Sequence, residues 1–299
     1  MSTTTGLYYM KIVDCTSFYS EHMMYEVRLN ILKDKVDKFI VTESTYSHSG
    51  KKKKLNFDIN NYSKFKDKII YIVIDKEPEG IVVENNNPSM QRSNSLKRIA
   101  LSYDESLKAL KDFSDEDLIM LSDNDEIPNL NSSQFNKSQK EIILFKQLFF
   151  YFKFNLLYDR MFWIGTKACK KKKLKSLSWL RNIKLKKYPF WRVDTLFSET
   201  KQINLDIIKD GGWHFTNIKN ASEIEIKLKS YLHHREFEEN PLNVKQIQDI
   251  MDNKQAIYNL NVDKSNKKFG KGEKLIKFNI ERLPNYIMQN EEIFKNWLD

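Results

Sequence analysis

Six successive residues, Ile69-Ile70-Tyr71-Ile72-Val73-Ile74, are all β-branched or aromatic and leave no polar side at helical or strand spacing. A run so short and so uniformly apolar predicts a strand covered on both faces, as strands of a parallel sheet are. Three further short segments read as strands: Lys11 to Cys15, Lys38 to Thr42, and Leu118 to Leu121. Between them lie helical patterns. Met24, Val27 and Ile31 recur at three- and four-residue spacing, and Leu96, Ile99, Ala100, Tyr103, Leu107 and Leu110 mark one face of a second helix that ends before Asp112. Strands alternating with helices predict an α/β fold: an open, mostly parallel, Rossmann-type sheet with helices on both faces. Sheets of this kind bind ligands at the carboxyl ends of their strands.

The second half changes character. Leu148, Phe150, Phe152 and Phe154 alternate within Phe145 to Phe154, which predicts a long, half-covered strand. The basic stretch Lys167 to Lys187 predicts an exposed loop or hairpin. An apolar segment, Ile203 to Ile208, precedes Asp210-Gly211-Gly212-Trp213-His214-Phe215, and a helix begins near Asn220. From Pro241 the pattern is helical, with Val244, Ile247 and Met251 on one side. The expected organisation is a leader over 1–9, a main domain over 10–236 and a mostly helical extension over 237–299 packed on it, a length sufficient for a large core.

Composition narrows the class. Hydrophobic residues at 40% and aromatic residues at 13% exclude a disordered chain. No apolar run approaches the roughly 20 residues that span a bilayer, and residues 1–6 lack the basic and apolar regions of a secretion signal. Cys15 and Cys169 stand far apart without a His/Cys cluster, which gives neither a zinc site nor a disulfide framework. A reducing, cytoplasmic setting is the expectation. The net charge of +10 would attract an anionic partner: nucleic acid, a membrane surface or a phosphorylated sugar. A base-composition bias toward lysine explains the same charge, so charge alone does not choose.

The acidic run Asp123-Asn124-Asp125-Glu126-Ile127-Pro128 is the most informative local feature. Two carboxylates one residue apart at a strand end can hold a hard divalent ion, Mg²⁺ or Mn²⁺, which takes oxygen ligands and bridges phosphates. Such spacing is common by chance, and Asp115-Glu116-Asp117 repeats it. That second run precedes its strand, where an acidic turn explains it. Asp123 and Asp125 directly follow Leu118-Ile119-Met120-Leu121, where this kind of sheet receives its ligand, and Ile127-Pro128 stops a helix from starting there.

Leu121-Ser122-Asp123-Asn124-Asp125-Glu126-Ile127-Pro128 resembles the SDxDEIP signature of glycosyltransferase family 17. Other blocks follow in family order. Tyr25 to Asn30, Phe39 to Ser44 and Ser49-Gly50-Lys51 resemble its amino-terminal blocks, and Met90-Gln91-Arg92-Ser93-Asn94 resembles its QRN block with one residue inserted. Gly211 to Phe215 is similar to its GWHF block, His234 to Phe237 to an HxE block, and Leu283 to Ile287 to LPxYI. The resemblance implies a GT-A fold, inverting transfer, a UDP-sugar donor (UDP-N-acetylglucosamine first), a divalent cation and a glycan acceptor. Because the anchor and stem of the family's Golgi members are lacking, it implies a cytoplasmic bacterial or virus-encoded relative.

Individual residues can then be given candidate roles. Asp123 and Asp125 are candidate metal ligands, with Asp123 also against the donor. His214 is a third metal ligand or an acceptor contact, or else a core histidine bonded to backbone. Glu43, at the end of the second strand, is placed for the donor's base or ribose, or else caps a turn. Gln91, Arg92 and Asn94, before the helix marked by Leu96 to Leu110, are candidates for the diphosphate. Trp213 and His234 are candidates to line the acceptor site. The base that inversion requires is sought among Asp210, Glu126 and Glu236. Trp163, Trp179 and Trp191 offer sugar-stacking faces if exposed. Lys51 to Lys54 and Lys170 to Lys173 read as solvated loops, or as holds for an acidic or phosphorylated glycan or an anionic membrane. The competing readings are a basic nucleic-acid-binding protein, disfavoured because no recognition helix carries the charge, and a catalytically inactive glycan-binding relative.

Overall fold

In a computed structural model, which describes residues 9–82, 87–189, 191–230, 237, 241–258 and 272–299, the apolar segments become four parallel strands. These are β1 (Ile12–Ser17), β2 (Lys38–Ser44), β3 (Ile69–Ile74) and β4 (Leu118–Leu121), side by side in the order β3-β2-β1-β4. Helix α1 (His22–Leu32) connects β1 to β2 and buries Met24, Tyr25, Val27, Arg28, Leu29 and Leu32. Helix α2 (Pro88–Asp104) lies between β3 and β4. It starts well before Leu96 because Asn87 caps it, accepting from the Ser89 N–H, and Pro88 occupies the first turn. The face marked by Leu107 and Leu110 continues beyond α2 in a 3₁₀ turn, Glu105–Leu110.

The all-apolar run does not form the centre of the sheet. β3 is its edge, with Ile69 and Ile74 buried at the two ends and Val73 42% exposed between them. In this parallel half the strands covered on both faces are β1, β2 and β4, each with a partner on either side.

The second half is organised by one long strand, β6 (Ile142–Tyr151), instead of the expected Phe145 to Phe154. It ends where Phe152 takes a positive φ of 62°. It is covered on both faces: Ile143, Phe145 and Phe150 enter the principal core, while Ile142, Leu144, Phe149 and Tyr151 enter two others. The side-chain phase changes along it because its pairing with β8 (Trp163–Lys170) is irregular between Leu144 and Lys146. β8 is antiparallel to both β6 and β4 and so joins the two halves of the sheet.

Along the other side of β6 run β9 (Leu205–Ile208) and β10 (Gly212–Thr216), both parallel to it and nearly in line. Between them the chain bulges at Lys209 to Gly211. A Cβ on Gly211 would lie 2.3 Å from the Lys146 backbone nitrogen. Gly212 has φ +113°, and a Cβ there would lie 2.2 Å from the Ile127 carbonyl oxygen. The glycine pair thus brings backbone against backbone, so that β5 (Glu126–Pro128) can pair antiparallel with β10.

The basic stretch is not an exposed loop. Its start is the end of β8, and after a 3₁₀ turn it forms helix α4 (Leu177–Asn182), where Ser176 accepts from the Trp179 N–H and Leu177 and Leu180 are buried. The short helix α3 (Ser133–Lys137) follows β5. Helix α5 (Ala221–Ser230) packs against α6 (Val244–Asp252), which buries Ile247 and Ile250 while Val244 faces solvent. The described part of the extension also adds a strand, β11 (Ile276–Lys277), to β7 (Leu156–Leu157), followed by α7 (Asn285–Gln289) and α8 (Glu291–Phe294). Its end returns to the sheet, where the Asp299 N–H donates to Asn155 Oδ1 at 2.7 Å. Among the described residues no helix is long and apolar enough to cross a membrane.

Gly212→Ala is expected to cost at least about 2 kcal/mol, since it adds positive-φ strain to a backbone clash. Urea denaturation measures it, as a lower midpoint with an unchanged slope.

Candidate active site

The acidic turn is held from beneath by a buried ion pair. Arg28 of α1 donates through Nε and Nη2 to both oxygens of Asp14 on β1, at 2.7 and 2.6 Å, with both side chains wholly buried. Its Nη1 donates to the Glu126 carbonyl at 2.7 Å and reaches the Asp123 carbonyl at 3.4 Å. Burial works against the guanidinium's charge, but Asp14 outweighs it and raises the pKa above that of an ordinary arginine. The turn closes with the Glu126 N–H donating to the Asp123 carbonyl at 3.0 Å, and it docks on β10 through the Phe215 N–H to the Asp125 carbonyl at 2.8 Å.

Glu126 lies inside, not in the cleft. Its carboxylate accepts from the Asp123 N–H at 2.8 Å, Trp163 Nε1 at 2.7 Å, and Arg181 Nη1 and Nη2 at 2.8 and 3.2 Å. Those four donors use the lone-pair positions a carboxylate has. Burial pushes its pKa up, but Arg181 beside it wins and holds it below the usual range. Gly165 leaves the room: a Cβ there would lie 2.1 Å from Glu126 Cδ. As a candidate base Glu126 is therefore corrected to a support, because it cannot take a proton without losing Arg181.

Arg181 comes from α4, inside the stretch expected to be a loop. Its Nη2 donates to Asp123 Oδ2 at 2.7 Å and Nη1 to the Gly165 carbonyl at 3.1 Å. The Tyr103 hydroxyl donates to Asp123 Oδ1 at 2.9 Å. Withdrawal into the cleft raises the Asp123 pKa against Arg181, with Glu126 and Asp125 adding to the rise, although 40% of the side chain still meets solvent. Lys167 of β8 fixes the end of α4 by donating to the Arg181 and Ile183 carbonyls. Burial first, then Arg181, lowers its pKa to about 7.

Asp125 and His214 meet across β5 and β10, with Nε2 3.5 Å from Oδ1, and Lys227 Nζ of α5 stands 3.8 Å from the other oxygen. Burial raises the Asp125 pKa, but His214 and Lys227 together carry it below the carboxylate range. Phe149 stacks on the His214 ring at 4.7 Å and Trp163 lies 4.9 Å from it, which fixes the plane that aims Nε2 at Asp125. Among the described residues His214 Nδ1 and both amide atoms of Asn124 are buried without a hydrogen-bond partner. Polar groups left so are costly unless something else satisfies them.

Other expected residues stand elsewhere. Glu43 is buried under its own loop, accepting from Lys53 Nζ, the Asn56 and Phe57 N–H groups and the Tyr71 hydroxyl at 2.5 to 3.0 Å, so it anchors residues 53–57 and faces no cleft. Gln91, Arg92 and Asn94 lie within α2 and not before it. Arg92 is exposed, about 16 Å of helix axis from Tyr103, and Asn94 clasps the Val82 peptide through both amide atoms. Asp210 is exposed on the bulge, accepting from Asn129 Nδ2 at 2.9 Å, and precedes β10, on which His214 lies. Trp213 packs against the principal core on the opposite face of β10 from His214. His234 and Glu236 lie outside the described residues.

The sequence profile described as "Glycosyltransferase family 17" matches residues 4–299. The chain belongs to glycosyltransferase family 17. No curated protein matches it. Of solved structures, it is similar to the inositol-1-phosphate CTP transferase of T. maritima, at 15% identity over 74% of this chain and 96% of that one, with a TM-score of 0.34. It is also similar to a Bacillus anthracis protein assigned as a glucose-1-phosphate thymidylyltransferase, in complex with a sucrose, at 12% identity over 67% and 86%, TM-score 0.33.

In this family-17 chain no group of three His, Cys, Asp or Glu side chains among the described residues stands close enough to hold a metal ion. The donor set is a pair, Asp125 and His214, while Asp123 is engaged by Arg181 and Tyr103. Mg²⁺ and its relatives commonly take one or two side chains and complete their shell with water and substrate phosphate. A hard carboxylate beside an imidazole, with Asn124 unsatisfied in the same turn, fits such an ion. The cationic side of the site escaped sequence reading because Arg181 was hidden among lysines. The capped pattern Ser176-Leu177-Ser178-Trp179-Leu180-Arg181 was the available signal.

Arg181→Met leaves Glu126 buried and unpaired, an expected cost of about 3 to 5 kcal/mol at pH 7. In the wild type the depressed Glu126 pKa contributes stability above pH ~4.3 that is lost as pH falls through the folded pKa. The variant reverses the sign: its Glu126 pKa rises, so the deficit shrinks on acidification, and Arg181→Met with Glu126→Gln recovers part of it. Chemical denaturation across pH 4 to 8 measures all three proteins.

Proposed function

We propose that the chain is a metal-dependent inverting glycosyltransferase that moves N-acetylglucosamine from UDP-N-acetylglucosamine to a glycan. The observation that carries this reading is the Asp125–His214 pair at 3.5 Å, beyond the carboxyl end of β4 in a family-17 chain. Asp125 and His214 would hold Mn²⁺ or Mg²⁺, which when bound supplies Lewis acidity to the departing nucleotide. Lys227 beside Asp125 and Arg181 beside Asp123 put fixed positive charge at the same mouth, where a diphosphate's developing charge would be met without reorganisation.

The frame below does a different task. Arg28 and Glu126 fix the turn's backbone and Trp163 fixes the imidazole plane, so Asp125 and His214 need no ordering when a ligand arrives. The choice of UDP-N-acetylglucosamine comes from the family resemblance of the motif blocks. An acidic or phosphorylated glycan suits the chain's net charge of +10. The nucleic-acid reading is weaker still against the fold, since Lys170, Lys172 and Lys173 are engaged with Glu116 and Glu141.

With Mn²⁺, purified protein is expected to release UDP from UDP-N-acetylglucosamine, and UDP with Mn²⁺ is expected to raise its melting temperature. Asp125→Ala and His214→Ala should each lower turnover more than about a hundredfold and abolish the metal-dependent shift. The unliganded melting temperature should stay near wild type for Asp125→Ala and fall for His214→Ala, whose ring packs between Phe149 and Trp163. A fully active Asp125→Ala protein would sink the metal assignment.

A further inference from the structure

Two residues past α4 the chain leaves the body of the protein and returns on itself. The Lys184 N–H donates to the Thr200 carbonyl at 2.9 Å, which draws the two ends of the 184–200 segment together, Phe190 lying outside the described residues, and Trp179 Nε1 pins its far end through the Glu199 carbonyl at 2.8 Å. Within it a 3₁₀ turn, Val193–Thr195, tucks Thr195 inward, where its hydroxyl donates to the Arg192 carbonyl. The same turn sends the apolar neighbours out. Trp191 is 67% exposed, Val193 65%, Leu196 77% and Phe197 86%, with Leu185 at 52% near the loop's start. Nowhere else among the described residues do so many large apolar side chains project within so few positions. A concentration of this kind marks a contact surface.

The charges around it are equally one-sided. Lys184, Lys186, Lys187, Arg192 and Lys201 face Asp194 and Glu199 within the segment, and Lys187 reaches Asp206 of β9 at 3.3 Å. Asp194 is shared by Arg192 at 2.7 Å and Lys201 at 2.6 Å, and Glu199 is taken by Lys175 at 3.0 Å. Among the described residues Lys184 and Lys186 have no carboxylate partner, while Lys186 lies 6.0 Å over the Tyr188 ring. Of the lysine runs that stand out in the sequence, Lys170, Lys172 and Lys173 are neutralised by Glu116 and Glu141, whereas in Lys51 to Lys54 only Lys53 has a carboxylate partner among the described residues, Glu43.

We propose that the 184–200 loop is a membrane-contact element that inserts Trp191, Val193, Leu196 and Phe197 into the surface of an anionic lipid bilayer while its lysines meet the headgroups. Apolar side chains flanked by unmatched cations are what an anionic interface accepts: hydrocarbon below, negative charge at the rim. A second copy of the chain is a poorer occupant, because a two-fold contact sets one basic loop against another. Single-stranded nucleic acid is poorer too, because Val193 and Leu196 offer no ring face for a base. The loop begins just beyond Arg181, so docking would hold the mouth of the candidate site near the bilayer. The inference rests on exposure and charge, and does not depend on the donor or the metal.

Vesicle sedimentation tests it with the full chain, using phosphatidylcholine alone and phosphatidylcholine with about 30% phosphatidylserine, at about 0.1 M and 0.5 M salt. Wild type is expected to bind the anionic vesicles at least tenfold more tightly than the neutral ones and to lose that preference at high salt. Leu196→Ser with Phe197→Ser should weaken binding at least tenfold, and Lys184→Glu with Lys186→Glu should erase the preference for anionic lipid, both with unchanged melting temperature and mass by light scattering. Absence of wild-type binding to anionic vesicles, or equal binding by the serine variant, overturns the proposal. So does a wild-type dimer that the serine variant dissociates, which would make a second copy the occupant.

Discussion

A wholly buried carboxylate must be matched donor for donor, and the architecture around Glu126 meets that demand. Its partners come from three places: the backbone of its own turn, Trp163 on β8, and Arg181 on α4. Each partner fixes an element relative to the others, so the position of α4 against the sheet follows from the need to keep one acid solvated inside. Gly165 shows how tight the solution is, since even a methyl group at that position would overlap the carboxyl carbon. Isolated ion burial is expensive, and replacing such groups by apolar ones often stabilises a protein. What the arrangement supplies is a fixed geometry for the turn that carries Asp123 and Asp125.

The two arginines act on that turn from opposite sides. Arg28, itself neutralised by Asp14, holds the backbone carbonyls of Asp123 and Glu126, while Arg181 holds the carboxylates of the same two residues. Charges therefore alternate through the site: Asp14, Arg28, Glu126, Arg181, Asp123. Asp125 stands outside this chain of short contacts. Its partners lie at 3.5 and 3.8 Å, against 2.6 to 2.8 Å for the principal contacts of the others. In a rigid frame the loosely held carboxylate is the one an incoming ligand can recruit without dismantling anything.

The parallel half of the fold was legible because its elements are local. β3 and β4 occupy the residues their apolar runs mark, and the turn after β4 lies where the acidic motif said. What failed failed for physical reasons. The Ile69–Ile74 run looks central, but a strand's place in a sheet is set by its partners, and among the described residues β3 has only β2. Glu43, at a strand end, looked like a ligand contact, yet the following lysine-rich loop folds back and, with the Tyr71 hydroxyl of β3, uses all its lone pairs. Arg181 was invisible because its role depends on Glu126, distant in sequence, and on a short helix whose buried positions are only Leu177 and Leu180. His214 could be named from its block of residues; that Phe149 and Trp163 would hold its ring could not, since both come from strands whose register only the fold sets.

The costs of moving each group suggest which contacts would yield to a diphosphate. Four of the five guanidinium N–H groups of Arg181 are engaged, two by Glu126, one by Asp123 and one by the Gly165 carbonyl. Releasing Glu126 would strand a buried charge at several kcal/mol. Releasing Asp123, 40% exposed, returns a carboxylate to water at little cost. A phosphate oxygen competing for Arg181 would therefore displace Asp123 and leave Glu126 in place. The same exchange would free an Asp123 oxygen two residues from Asp125, completing the pair of acids that the sequence motif alone suggested.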